Sequence, residues 1–68
     1  MKKKRFCVMY SNSPREEQIM SLQTDNLKQA IDKRVKLLNH YHIVDIFDRV
    51  QGCDLTLNEI ETGEVMGA

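Results

Sequence analysis

The chain has 68 residues, 41% of them hydrophobic and 29% charged. That composition fits one small globular domain, and it excludes a disordered chain and a helical membrane span, because no apolar run approaches ~18 residues. Ten Lys and Arg balance ten Asp and Glu, so the formal net charge is zero.

Phe6–Tyr10 is a short apolar run between a basic start and Ser11-Asn12-Ser13-Pro14, which predicts a strand followed by a loop. Apolar groups on both of its faces place that strand inside a sheet. The same run is too short for the core of a signal peptide. Gln18–Gln23 predicts a second strand, antiparallel to the first. Asp25–Asn39 predicts a helix with Asn26 as its cap and Gln29 three residues on. Leu27, Ala30, Ile31, Val35, Leu37 and Leu38 fill one arc of that helix, and Lys28, Gln29, Asp32, Lys33 and Lys36 fill the other.

Ile43–Gln51 alternates as a strand, and Gln51-Gly52 offers a tight turn. A further strand is expected from Leu55 to about Ile60, then a Glu61-Thr62-Gly63 hairpin loop and a short Glu64–Met66 edge strand. The expected architecture is a single α+β domain over residues 1–68. Its order is ββαβββ, or ββαββ if the tail is loose, an antiparallel sheet with one helix packed on a face.

A domain of this size buries only about 60% of the surface its unfolded chain exposes, and there is no Trp. Scaffolds this small gain stability from a disulfide, a metal or a partner subunit, so a homodimer is a reasonable expectation. Enclosed pockets of about 300–1,000 Å³ leave little wall in such a chain, which favours a binding module over an enzyme. Cys7 and Cys53 make no disulfide framework, which points to a reducing cytoplasm.

The zero net charge hides a split. Residues 1–42 carry nine Lys and Arg against four acids, while residues 43–68 carry six acids against Arg49 alone. Such asymmetry points to a charged partner. Lys2, Lys3, Lys4, Arg5, Lys28, Lys33 and Lys36 form a basic set suited to phosphate. Against that, a basic chain end and an outer helix face are ordinary solvated surfaces, and the aromatic platforms that single-strand binders use are scarce. Asp45, Asp48, Asp54, Glu59, Glu61 and Glu64 form an acidic set suited to a basic groove on another protein. Arg34 falls in the apolar arc of the helix, where a charge must snorkel, pair or face a partner. Asp48 is its expected mate.

His40, His42, Cys7 and Cys53 lack the paired spacing of a zinc site, and no metal or cofactor is expected. No nucleophile elbow, phosphate-cradling glycine loop or paired CxxC appears, so no catalytic residue is assigned.

The Lys-rich start into Arg5-Phe6-Cys7-Val8-Met9-Tyr10, the Ser/Pro turn, the Asp25-Asn26-Leu27 helix start and the Ile60-Glu61-Thr62-Gly63-Glu64-Val65 close together make a recognisable plan. It resembles small accessory proteins of phages and mobile elements, including some anti-CRISPR inhibitors of ββαβββ order. The likeness is architectural and carries over no residue role. It implies stoichiometric inhibition by a compact wedge that blocks the nucleic-acid groove of a host nucleoprotein.

The expected function is therefore a non-enzymatic protein-binding module acting by occlusion. Lys2–Arg5, Lys28, Lys33, Arg34, Lys36, Asp45, Glu59 and Glu61 are its candidate contacts. The alternative is a nucleic-acid-binding module that uses the basic start and the helix lysines.

Overall fold

The structure is a computed structural model and describes residues 3–65. Its elements are β1 (Phe6–Ser11), β2 (Ile19–Thr24), α1 (Leu27–Leu38), β3 (Ile43–Asp48), β4 (Cys53–Asp54) and α2 (Leu57–Thr62). The strands form one sheet in the order β2-β1-β3-β4 with every neighbouring pair antiparallel, and α1 packs against it. This is an α+β domain of the expected class.

The apolar character of β1 on both sides explains its central place. Val8 stands opposite Leu22 on one neighbour and Ile46 on the other. Side chains alternate across the sheet, so Phe6, Val8 and Tyr10 point to one face with Val44, Ile46 and Asp48 of β3. On that face Phe6, Val8, Val44 and Ile46 meet Ala30 and Leu37 of α1, and Leu55 closes the cluster. Ile60 and Val65 pack against the same core, so α2 lies on the α1 side. The molecule measures 30 × 29 × 18 Å, a sheet with a helical layer on one side.

The helix start forms as expected. The Asn26 side chain accepts from the Gln29 backbone N–H at 3.3 Å, and Thr24 Oγ1 donates to Gln29 Oε1 at 2.6 Å. The apolar arc, however, is wider than the sheet can cover. Ala30 and Leu37 are buried, while Val35 and Leu38 stay 56% and 40% exposed.

The last third differs from the sequence expectation. The strand expected over Ile43–Gln51 ends at Asp48, where the chain turns; the fourth strand is Cys53–Asp54, ahead of the stretch from Leu55 to Ile60 expected to be a strand, and Leu57–Ile60 of that stretch lie in α2 instead. The reason is a capping box. Thr56 Oγ1 accepts from the Glu59 backbone N–H, and the Glu59 carboxylate accepts from the Thr56 N–H at 2.9 Å. Gly63 does adopt positive φ, at 70°, but as the left-handed cap of α2 rather than in a hairpin. Glu64 and Val65 are not strand, and Met66 lies outside the described residues. The strand order is therefore ββαββ with a short helix after it. The Gly52 turn is present, with φ 73° and its N–H donating to the Asp48 carbonyl at 2.8 Å.

Candidate functional site

Both helices occupy one face of the sheet, so among the described residues the other face carries no helix. Alternation assigns Cys7, Met9 and Ser11 of β1 to it, with Ile43, Asp45 and Phe47 of β3. Cys7 stands opposite Phe47 and Gln23, and Met9 stands opposite Asp45 and Met20. These pairs align Met20, Met9, Cys7 and Phe47 as an apolar strip across the sheet, with Asp45 opposite Met9 and Ile43 beyond it opposite Ser11. Cys7 is buried between its neighbours, Met9, Ile43 and Phe47 are half-buried, and Met20 is 49% exposed.

Acidic groups border the strip. Asp54 of β4 stands opposite Phe47, and its carboxyl is pushed above its ordinary value, first by burial and then by the neighbouring charge of Asp45. Asp45 accepts a hydrogen bond from the Gln18 side chain, which reaches across from the start of β2. The open face is thus apolar at its centre and negative at its β3–β4 margin.

At the end of the sheet where β1 begins, the basic start is tied into the fold. Arg5 Nε and Nη2 donate to Asp48 Oδ1 and Oδ2 at 2.9 and 3.0 Å. Asp48, fully buried, also accepts from the Val50 N–H and the Gln51 side chain at 2.9 Å each. The bond from Arg5, reinforced by those from Gln51 and Val50, outweighs desolvation and holds the Asp48 carboxyl at a pKa of about 2. The expected Arg34–Asp48 pair is therefore not formed. Arg5 enters β1 beside the position where Phe6 faces Asp48, and its guanidinium engages both carboxylate oxygens. Arg34 is half-buried on α1, and its buried Nε has no hydrogen-bond partner.

The remaining predicted contacts do not form one patch. Lys4 pairs with Asp25 at 3.5 Å across an exposed surface. Lys28 and Lys36 are exposed on α1, and Lys33 is half-buried. Lys28 and Asp32 border a cleft of about 430 Å³ between α1 and α2, floored by Leu27, Ile31 and Ile60, with Glu61 on its far rim. Glu59 is engaged in the capping box and also accepts from Gln51 at 3.0 Å. The Thr56 N–H bond and the one from Gln51 hold its carboxyl below its ordinary value. Lys2 lies outside the described residues. The basic and acidic halves are thus cross-linked by Arg5 and Asp48 rather than sorted onto two clean sides.

Sequence reasoning missed the open face as a unit. Its signal was present in the apolar residues on both faces of β1, since a strand covered on one side alone shows polar residues on the other.

No family model, curated protein or solved structure matches the chain. Among the described residues no helix is long and apolar enough to cross a membrane. The class that fold and site define is a small α+β domain with a bare, apolar-centred sheet face.

Proposed function

We propose that the chain is a non-enzymatic protein-binding module that acts by occlusion, laying its open sheet face on a partner. The observation that carries this reading is the strip of Met9, Met20 and Phe47 beside Asp45 and Asp54. Interface cores are enriched in aromatic and Met side chains and depleted of charge, and complementary charge at the rim sets partner choice. A partner that fits has an apolar patch flanked by Lys or Arg. The nucleic-acid groove of a nucleoprotein is one such surface, and covering it would inhibit without chemistry. The phage-type, anti-CRISPR-like role and a cytoplasmic setting belong to the same proposal. They are supported by the compact ββαββ plan and by two free cysteines, Cys7 buried and Cys53 exposed.

The test is affinity capture from a lysate of the source organism, with and without nuclease and at two salt concentrations, using the chain and its Phe47→Lys variant. One protein that survives nuclease and salt, and is lost with Phe47→Lys, supports the reading. Retention of nucleic acid alone, released by salt, would sink it and favour direct phosphate binding through Lys28, Lys33 and Lys36.

A further inference from the structure

The two edges of the sheet are unlike. One is β4, only two residues long, and the other is β2, a six-residue strand that among the described residues pairs with β1 on one side alone. A free edge presents a row of backbone N–H and C=O groups that template another strand, and natural edges are blunted with charges, Pro, bulges or a covering element. The β2 sequence Ile19-Met20-Ser21-Leu22-Gln23-Thr24 contains no charge and no Pro, in a chain that is 29% charged. It carries one blunting device, an irregularity in the β1–β2 register where Ser21 is the extra residue. Ile19 and Met20 are 57% and 49% exposed along this edge.

We infer that β2 is a self-association edge, and that its occupant is the β2 strand of a second copy, antiparallel about a two-fold axis. Charge at the strand ends selects that occupant. Before β2 the exposed Glu16 and Glu17 outweigh Arg15. At its far end Lys4, which pairs with Asp25, and Arg49, whose Nη2 donates to Gln23 Oε1 at 3.4 Å, leave a positive balance, and the exposed Lys3 precedes Lys4 in sequence. Antiparallel pairing sets the acidic end of one copy against the basic end of the other, twice over, as an isologous contact requires. Zero net charge adds no overall repulsion between copies. Six-residue strands pair over a small area, below the ~1,200 Å² of stable interfaces, so the dimer is a weak one. This contact uses the sheet edge, and Met20 borders both that edge and the open-face strip, so Ile19→Lys, on the other face, and Phe47→Lys are the variants that separate the two readings.

Sedimentation equilibrium of the whole chain from roughly 1 μM to 1 mM, the range of weak complexes, reads the result directly. The average mass is expected to rise from 7.9 kDa toward twice that value. Ile19→Lys and Met20→Lys, both at exposed positions, are each expected to hold the mass at the monomer value. Glu17→Lys is expected to weaken the dimer several-fold, and adding Lys3→Glu to restore it. Phe47→Lys, on the open face, is expected to leave association unchanged. A constant monomer mass overturns the inference. So does a dimer that ignores both Ile19→Lys and Met20→Lys.

Discussion

Arg5 and Asp48 meet in a two-point ion pair, Nε to Oδ1 at 2.9 Å and Nη2 to Oδ2 at 3.0 Å, across 43 residues of sequence. The pair joins the residue entering β1 to the last residue of β3, and through Val50 and Gln51 it also fixes the turn toward β4. One carboxylate therefore organises one end of the sheet. The guanidinium is largely covered as well, with its side chain 15% exposed and its centre 5.0 Å from the Phe6 ring.

Asp48→Ala is expected to cost about 3 kcal/mol, because removing one partner of a buried pair leaves the other charge uncompensated. Chemical denaturation measures this. The exposed Lys4–Asp25 pair is the internal contrast, and Lys4→Ala is expected to change stability by less than about 0.5 kcal/mol. Equal costs for the two variants would contradict the structure.

Acid should act through the same carboxylate. Its pKa is lowered from 3.8 to about 2 by folding, so the stabilisation is present above about pH 4 and is lost as the pH falls through about 2. After allowance for solvent screening the loss is about 1–2 kcal/mol. Denaturant midpoints measured between neutral and acid pH should fall in that window, and the Asp48→Ala chain should show a flatter profile there.

The α2 helix rests on its ends. Thr56→Ala removes the cap that receives the Glu59 N–H and is expected to cost about 1 kcal/mol. Gly63→Ala forces a side chain into φ 70° and is expected to cost a similar amount. Because α2 is one short helix with no fully buried side chain, amide exchange should accelerate over residues 57–63 before it does in β1.

Arg34 predicts an effect of the opposite sign. Its buried Nε is without a hydrogen-bond partner, so Arg34→Met, which keeps the length of the stem and removes the charge, is expected to be neutral or to stabilise by up to ~1 kcal/mol. Thermal unfolding checks this. A large destabilisation would mean that the guanidinium supports the fold, and intact folding with lost partner binding would make it a recognition group.

Local forces are written in the sequence, and long-range pairings are not. β1 is legible as a short apolar run closed by Ser and Pro, and α1 and the body of β3 as periodic apolar patterns, although β3 stops at Asp48 rather than at Gln51. The tail misled because Leu55 and Leu57 alternate as a strand would, while the decisive signal was Thr56 with Glu59 three residues on. Two side-chain bonds to backbone outweighed that alternation. The carboxylate of Asp48 pairs with Arg5 and not with the expected Arg34. The pairing depends on the register that sets Phe6 opposite Asp48, and no local pattern encodes that register. The open face was half legible. β1 showed its second apolar side, but only the β1–β3 and β1–β2 pairings bring Met9, Phe47 and Met20 together.

The inequality of the sheet's two margins also limits how far such chains can stack. Fibril growth needs a template at both ends of every added unit, so that each newcomer exposes a fresh edge like the one it covered. Here a two-residue β4 ends one side, and among the described residues β2 is the one edge long enough to accept a strand. Once two β2 strands have met, what remains outside is a pair of stubs. In the proposed pairing growth stops at two copies, and an edge that would be an amyloid hazard in a sheet with two long margins is covered within the pair.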